Sequence, residues 1–415
     1  MREEALAVVK EIAAALPGHV PEKHDASLAS GQAGLALTYA YLARANLSSN
    51  QNAAGCLERA IQIISSETGW PSLYGGFTGV VWTLAHLQKQ LFDSEAKDIY
   101  ETTDPVLYKY SGRSSWDGNY DLIDGIVGIG VYALERLPDP SAIKCLMRVI
   151  DRLEEMAVCK SNGITFPTHP SLLTDKQREQ YPNGYYDLGM AHGIAGVVAF
   201  LGVVCATGVA SARARALLDG AVKWLLRQKM ESGRSGCFPY YVGPNIKRKR
   251  ARLAWCYGDA GIASALLVAA RCVKEPDWER EALKIARHAA SRNLEQTAVV
   301  DAALCHGAAG LGHIFNRIFH ATGKTWSQKA AAFWFERTLG LRQAGRGVAG
   351  FLSFTRDENG RAQWTDEAGL LEGAAGIALA LLAATTSVEP LWDRMLLLSL
   401  PANITPSMRK RLTHK

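Results

Sequence analysis

Seven apolar runs recur along the chain, and each is headed by two glycines in the spacing Gly-x-x-Gly. Alanine and leucine dominate most of these runs, which therefore predict helices that are apolar on all sides and buried. The repeating unit is larger than in most solenoids. The first glycines of the pairs are Gly31, Gly76, Gly125, Gly193, Gly258, Gly307 and Gly373.

A segment of different character precedes each glycine pair. Its apolar residues follow helical spacing and its charges lie on the opposite face, as in an amphipathic helix. These segments are residues 4–17, 52–65, 93–110, 140–157, 211–229, 277–293 and 326–342. The chain thus repeats amphipathic helix, loop and apolar helix seven times.

The two kinds of helix predict a closed architecture. A helix that is apolar all round must be enclosed, and an amphipathic helix can cover it from outside. We therefore predict an all-α fold, an α/α toroid of seven inner and seven outer helices, with residues 1–415 forming one barrel domain. For short β-branched runs such as 125–134, the alternative is a buried parallel strand in a βα repeat.

Three longer connections interrupt the pattern, at residues 159–186, 231–252 and 348–370. They are rich in proline, glycine and aromatic residues, which is typical of lids or insertions rather than linkers between domains. Within them, residues 163–168 and 236–243 could form short strands.

Composition narrows the class of protein. With 48% hydrophobic and 21% charged residues, the chain is expected to fold. The net charge of +6 is spread evenly apart from the basic run 247–252, so it does not favour nucleic acid as a partner. The low cysteine density and a charged start without a signal-peptide core indicate a cytosolic protein with reduced thiols. The uncharged stretch 194–211 predicts a buried helix rather than a transmembrane segment.

If the glycine pairs start the inner helices, the residues just before them share one rim of the toroid. Ionisable and metal-binding side chains are concentrated there, whereas a structural loop would more often hold N-capping residues. The residues immediately before the first glycines are Ser30, Gly75, Asp124, His192, Tyr257, His306 and Glu372, and those two before are Ala29, Tyr74, Ile123, Ala191, Cys256, Cys305 and Leu371.

Two cysteines give the strongest chemical signal. Cys256 and Cys305 hold the same place in adjacent repeats, and His306 follows the second. Two thiolates and an imidazole suit tetrahedral Zn²⁺ and leave a fourth position open, the pattern of a catalytic zinc site. A substrate thiolate at that position would stay deprotonated yet electron-rich, so thiol alkylation fits better than water activation.

The alternative for any cytosolic cysteine is an inert, buried side chain. We adopt that interpretation for the cysteines in or next to helical segments, and for Cys237 a structural role is favoured without being decided. The cysteines in or next to helical segments are Cys56, Cys145, Cys159, Cys205 and Cys272.

Other residues at the predicted rim offer acid–base chemistry. His192 is a candidate proton donor, with a hydrogen-bonded structural role as the alternative. Asp121 and Asp124 are three residues apart and share a face, where either could orient a neighbour or cap a helix.

Four further side chains lie in the same loops. Arg252, Trp255 and Tyr257 could frame the metal site, and each could equally serve packing. Glu372 is interpreted as a helix cap.

Over nearly its whole length the sequence resembles the lanthionine synthetase C family, the cyclases of class I lanthipeptide biosynthesis. The resemblance rests on the seven glycine-rich repeats and on the motifs at 120–125, 191–196, 255–258 and 305–307. Members are α/α toroids that bind one zinc and add peptide cysteine thiols to dehydroalanine or dehydrobutyrine. The products are lanthionine and methyllanthionine rings.

The resemblance carries over to particular residues. It implies one Zn²⁺ per chain on Cys256, Cys305 and His306, catalytic roles for His192 and Asp121, and a site lined by Arg252 and Tyr257. It also implies a carbon–sulfur bond-forming enzyme whose partner is a dehydrated precursor peptide, leader plus core. A complex with a dehydratase and an exporter is possible, as is membrane association of this cytoplasmic protein through them.

One departure from the family pattern bears on the substrate. Members of eukaryotic type carry histidine where this chain has Tyr257, which favours a bacterial stand-alone peptide cyclase over the glutathione-binding relatives. The basic run 247–252 could contact a leader peptide, with a solvated loop as the alternative.

Three rival functions remain open. A sugar hydrolase or lyase on an α/α barrel needs paired carboxylates, which Asp124 and Glu372 could supply. A protein prenyltransferase would keep the zinc and the thiol chemistry but uses a mixed Asp/Cys/His ligand set. A non-catalytic, zinc-containing peptide or glutathione binder is the third.

Overall fold

Outer and inner helices alternate along the chain. The computed structural model describes residues 1–19, 24–66, 69–92, 97–112, 116–230, 236–357 and 360–400. The first residues of the predicted segment 93–110 and of the connection 231–252 therefore lie outside the described residues. The outer helices are α1 (Arg2–Ala15), α3 (Asn50–Ser66), α5 (Lys97–Ser111), α7 (Pro140–Met156), α10 (Ser211–Arg227), α12 (Pro276–Ala290) and α14 (Thr325–Gly340). The inner helices are α2 (Gln32–Arg44), α4 (Phe77–Leu91), α6 (Ile126–Glu135), α9 (Ile194–Thr207), α11 (Asp259–Val273), α13 (Ala308–Thr322) and α15 (Ala374–Thr385).

The helices form an α/α toroid, as predicted. Each inner helix contacts the next, and α15 contacts α2 to close the ring. Each outer helix packs on the inner helix before it in the chain, except α1, which packs on α15. The run 125–134 forms helix α6 with Ile126–Ala133 buried, so the alternative of a buried strand is wrong. The assignment of residues 1–415 to a single domain stays a prediction.

The glycine pairs shape the start of every inner helix. The first glycine of each pair is the N-cap residue. The second lies in the first turn, where a Cβ would overlap a carbonyl oxygen of the preceding loop, as Gly310 would overlap that of Leu304. Only glycine lets the loop fold back this closely on its own helix.

The loops before the inner helices join into a closed ring of backbone hydrogen bonds. Each loop donates an N–H to a carbonyl of the next loop, and the last returns to the first. The bonds run from Ala29 to Tyr74 (3.0 Å), Tyr74 to Ile123 (3.5 Å), Leu122 to Ala191 (3.2 Å), Ala191 to Cys256 (3.3 Å), Cys256 to Cys305 (3.3 Å), Cys305 to Leu371 (2.8 Å) and Leu371 to Ala29 (2.9 Å). The predicted rim is therefore one hydrogen-bonded surface.

The three longer connections carry the strands. β1 (Val158–Lys160) pairs with β2 (Gly163–Thr165), and β5 (Ser353–Arg356) pairs with β6 (Ala362–Thr365). Between the first two connections, β3 (Tyr186–Asp187) pairs with β4 (Tyr241–Val242). Each of the two regions for which the sequence predicts a strand thus contains one. The pair of β5 and β6 lies in the third connection, for which the sequence predicts no strand. The first connection also contains the short helix α8 (Asp175–Gln180).

The segment after α15 returns to the interior of the toroid. The Tyr74 hydroxyl donates to the carbonyl of Met395, and the Trp255 indole N–H donates to that of Leu396, at 2.9 and 3.0 Å. Trp392, Met395 and Leu396 are almost fully buried. Across the described part of the chain, no helix is both long and apolar enough to cross a membrane.

Candidate active site at one rim of the toroid

Adjacent rim loops bring the predicted zinc ligands together. The backbone N–H of Cys256 donates to the carbonyl of Cys305, which joins the two loops directly. One ligand atom each from Cys256, Cys305 and His306 lies within 4.8 Å of the others. Cys256 is buried, and the other two are half-buried. The matched register therefore produces the cluster that the sequence predicts.

The thiols of Cys256 and Cys305 are joined by a hydrogen bond that separates their pKa values. A hydrogen bond from Cys305 lowers the pKa of Cys256 to about 7 despite its burial, and the charges of His306 and Arg252 act in the same direction. The same hydrogen bond, together with burial, raises the pKa of Cys305. Cys256 is therefore the more easily deprotonated of the two thiols, and the thiolate is the form that binds a metal.

Asp301 orients the imidazole of His306. Its Oδ2 lies 3.5 Å from Nε2 of His306 and accepts a 3.1 Å hydrogen bond from Phe354 N, while Oδ1 accepts from Ala303 N at 3.2 Å. Burial acts to lower the pKa of His306, but the hydrogen bond and charge of Asp301 outweigh it and raise that pKa. With Nε2 directed at Asp301, Nδ1 is the ring nitrogen left for a metal.

The cluster fits zinc by the chemistry of its donors. Two sulfurs and an imidazole are ligands that Zn²⁺ prefers, and their spacing allows one ion to reach all three. A carboxylate behind the histidine is the usual outer partner of a zinc-bound imidazole. Three such ligands would leave one position of a tetrahedral zinc ion open.

His192 is held by Asp121 in the neighbouring loops of the ring. Its Nδ1 lies 2.8 Å from Oδ2 of Asp121, whose Oδ1 accepts a 2.8 Å hydrogen bond from the backbone of Asp124. Burial acts to lower the pKa of His192, but the Asp121 hydrogen bond and charge raise it to about 9. His192 is therefore a cation at neutral pH, with 41% of its side chain exposed and Nε2 directed away from Asp121.

Tyr257 is held against the same rim by Asp187. The tyrosine hydroxyl donates a 2.9 Å hydrogen bond to Oδ2 of Asp187, and Oδ1 accepts from Gly189 N at 2.7 Å. Burial raises the pKa of Asp187 to about 6. The ring of Tyr257 also meets Tyr240 edge-on, with 5.2 Å between centroids.

Arg252 and Trp255 have different surroundings. Arg252 is half-buried, and its charge acts on both cysteine thiols, so it lines the cluster. Trp255 is only 1% exposed and packs against Tyr74 inside the toroid. Its role is packing.

Asp187 and Asp301 were not identified from the sequence, although both occupy a fixed position relative to the glycine pair of their repeat. Each stands six residues before the first glycine of its pair, as Asp25 and Glu367 do in other repeats. All four carboxylates accept the backbone N–H two residues later. The carboxylate at this position thus caps the loop. In Asp187 and Asp301 the second carboxylate oxygen also faces a candidate site residue.

Two interpretations from the sequence are wrong. Glu372 does not cap α15, because Gly373 is the N-cap residue and no side chain caps it. Instead, Oε1 of Glu372 lies 3.7 Å from Nδ1 of His306. Cys159 is exposed on β1 rather than buried, and Cys205 and Cys272 are only half-buried, whereas Cys56 and Cys145 are buried as expected.

Known proteins resemble this chain over most of its length. The nisin biosynthesis protein NisC of Lactococcus lactis subsp. lactis is 25% identical over 352 residues, covering 79% of this chain and 77% of NisC. A solved structure of nisin cyclase superposes with a TM-score of 0.76 at 20% identity, covering 94% of this chain and 96% of the other. The model of the lanthionine synthetase C-like protein family matches residues 22–397. The chain belongs to the lanthionine synthetase C-like family.

Proposed function

We propose that this chain is a zinc-dependent lanthipeptide cyclase. Its reaction is the addition of precursor-peptide cysteine thiols to dehydroalanine or dehydrobutyrine, which forms lanthionine or methyllanthionine rings. The observation that carries the proposal is the Cys256, Cys305 and His306 donor set beside the His192–Asp121 pair, in adjacent loops of one rim. The enzyme would be a carbon–sulfur bond-forming cyclase of the lyase class.

Cys256, Cys305 and His306 would hold one zinc ion per chain. When bound, it would keep a substrate thiol deprotonated at neutral pH and so supply the sulfur nucleophile. Asp301 would keep the His306 ring in the orientation that presents Nδ1. Arg252 would place a positive charge beside this anionic group.

The remaining step is a proton transfer by His192. As the sulfur bonds to the β-carbon, the electron pair of the double bond moves onto the α-carbon and carbonyl, giving an enolate. His192 is protonated at neutral pH and would deliver its Nε2 proton to the α-carbon. Asp121 would hold the ring and stabilise its charge, which suits a partner of His192 better than a base acting on the thiol. Tyr257, fixed by Asp187, would line the site.

The decisive experiment offers the protein a dehydrated precursor peptide. Free thiols are then counted by alkylation and mass spectrometry. Each ring consumes one thiol without changing the parent mass, because addition neither gains nor loses atoms. A parallel incubation without protein measures spontaneous ring closure, and equal thiol loss in both would contradict the proposal.

Replacing Asp301 with asparagine tests the support of the metal site. We expect zinc affinity to fall roughly 10–100-fold, the usual cost of losing an outer-shell partner of a histidine ligand. Competition with a chelator measures the change. Asp25→Asn is the matched control, because Asp25 caps the same loop position in the first repeat and its other oxygen accepts from Ser30. Equal affinities in the two variants would contradict the assignment of Asp301.

Replacing Asp121 with asparagine tests the role of His192 as the proton donor. His192 carries its proton below its pKa of about 9, so its contribution to cyclisation is lost as the pH rises through that value. Without the Asp121 charge the pKa should fall toward its ordinary value of 6.5, and the loss of rate should begin at lower pH. The pH dependence of ring formation measures this shift. Asp124→Asn is the comparison and should shift the pH dependence less, because Asp124 acts on His192 through its charge only, as the smallest of the causes, whereas Asp121 also accepts its hydrogen bond. If Asp121→Asn loses rate at the same high pH as the unaltered protein, the proposed pairing of Asp121 with His192 is wrong.

The proposed substrate also specifies partners and location. We infer a dehydrated precursor peptide, leader plus core, as the direct partner, and a dehydratase and an exporter as further candidates in the cytoplasm or at its membrane. Residues 247–249 line a cleft of about 720 Å³ that could receive part of the peptide. The carboxylate-dependent alternative needs Asp124 and Glu372 as a pair, yet each lies beside a different histidine.

A further inference from the structure

A second cluster of metal-binding side chains lies apart from the rim cysteines. One ligand atom each from Cys237, Asp259 and His288 lies within 4.8 Å of the others. Three elements contribute: the connection before α11, the first residue of α11, and the last turn of outer helix α12. The rim chemistry described above uses none of these residues.

Asp259 is the fixed centre of this cluster. It is fully buried, and both carboxylate oxygens accept the N–H of Cys237 at 2.8 Å, while Oδ1 also accepts from Phe238 N at 3.2 Å. These bonds hold the connection so that the Cys237 sulfur approaches the carboxylate. Since a carboxylate oxygen has two lone pairs, Asp259 keeps capacity for another partner.

His288 supplies an independent observation. Its Nε2 is buried and has no hydrogen-bond partner. A buried polar atom left in this state requires an explanation such as an ion or an ordered water. His288 and Cys237 also line a cavity of about 960 Å³ beside α12, which gives a route of entry and room for one more ligand.

We propose that Cys237, Asp259 and His288 form a second binding site for a divalent metal of the zinc type. Thiolate, carboxylate and imidazole are all zinc ligands, and together they neutralise the ion and leave a fourth position to water. On binding, the Cys237 thiol releases its proton to solvent. The charges of Lys229 and Arg250 act on Cys237, and that of Arg292 on Asp259. They oppose a cation, so this site binds more weakly than the rim site and fills only when metal is added.

A metal here would tie the connection to the outer helix. Three residues beyond Cys237, Tyr240 accepts the backbone N–H of Arg252 at its hydroxyl and packs against Tyr257. The site would therefore brace one wall of the candidate active site from behind. Its occupancy would stabilise the folded chain, and the stabilisation would grow with the logarithm of the metal concentration once the site is saturated.

Cobalt titration tests this site without the rim cysteines. The Cys256→Ala/Cys305→Ala variant lacks the rim ligands, so a thiolate-to-cobalt absorption band must come from elsewhere. We expect this band to saturate at one added Co²⁺ per chain and to disappear when Cys237→Ser or His288→Ala is introduced. The control Cys272→Ser removes a half-buried cysteine outside the cluster and should leave the band intact.

The same titration on the otherwise unaltered, zinc-loaded protein guards against misfolding of the double variant. A band for added cobalt should appear there and be lost in the single variants Cys237→Ser and His288→Ala. Absence of the band from the zinc-loaded protein, or its survival in Cys237→Ser, would overturn the proposal. The outcome is independent of cyclase activity, because only metal binding is measured.

Discussion

Replacing Cys305 with alanine is expected to remove zinc and ring formation together. The variant keeps one sulfur and one imidazole, too few to hold the ion in competition with water. Losing an outer-shell partner alone costs roughly 10–100-fold in metal affinity, and losing a ligand should cost more. Metal analysis after dialysis against metal-free buffer gives zinc per chain, and the thiol count on a dehydrated peptide gives activity. Cys256→Ala should behave in the same way.

The matched control for this prediction is Cys272→Ala. Cys272 is half-buried like Cys305 but lies in the last turn of α11, away from the rim loops. Its removal should leave zinc and ring formation unchanged. If Cys256→Ala and Cys305→Ala both keep a full complement of zinc, the proposed ligand set is wrong.

Replacing His192 with alanine should separate metal binding from chemistry. The side chain is paired with Asp121 and contributes no ligand to the zinc cluster, so the variant should hold as much zinc as the natural protein. Loss of a positioned proton donor typically costs about 10²–10⁴-fold in rate. We expect ring formation to fall by that factor, measured as thiols consumed over time.

A histidine outside the rim provides the comparison. His320 is exposed in the last turn of α13, and His320→Ala should retain both zinc and activity. Ring formation at the natural rate by His192→Ala would exclude its role as the acid. Loss of zinc from that variant would instead indicate that the rim loops depend on His192 for their structure.

The repeats made much of the fold predictable. A Gly-x-x-Gly pair followed by an all-apolar run requires a buried helix that starts against a close loop, and its amphipathic neighbour requires a place outside. These local constraints do not depend on the rest of the chain. The short strands were harder to predict, since two- to four-residue pairings such as β5 with β6 depend on which segments meet.

The candidate site was predictable to the extent that it follows the repeat. Cys256 and Cys305 share a register, so ring closure alone makes them neighbours. Glu372 was misread for the opposite reason: its position suits a cap, but its environment is set by His306 in the adjacent loop. A single sequence specifies where a residue stands within its repeat, but not which side chain it meets in the neighbouring loop.

The sequence by itself determined the seven-unit toroid, the rim that carries the candidate residues and the candidate donor set of two thiols and an imidazole. The tertiary structure alone decided that Asp301 supports His306, that Asp187 holds Tyr257 and that Asp121 rather than Asp124 pairs with His192. The physical reason is the distance along the chain over which each kind of interaction acts. Helix periodicity and loop capping act over a few residues, whereas these side-chain hydrogen bonds join different loops and exist only once the ring has closed.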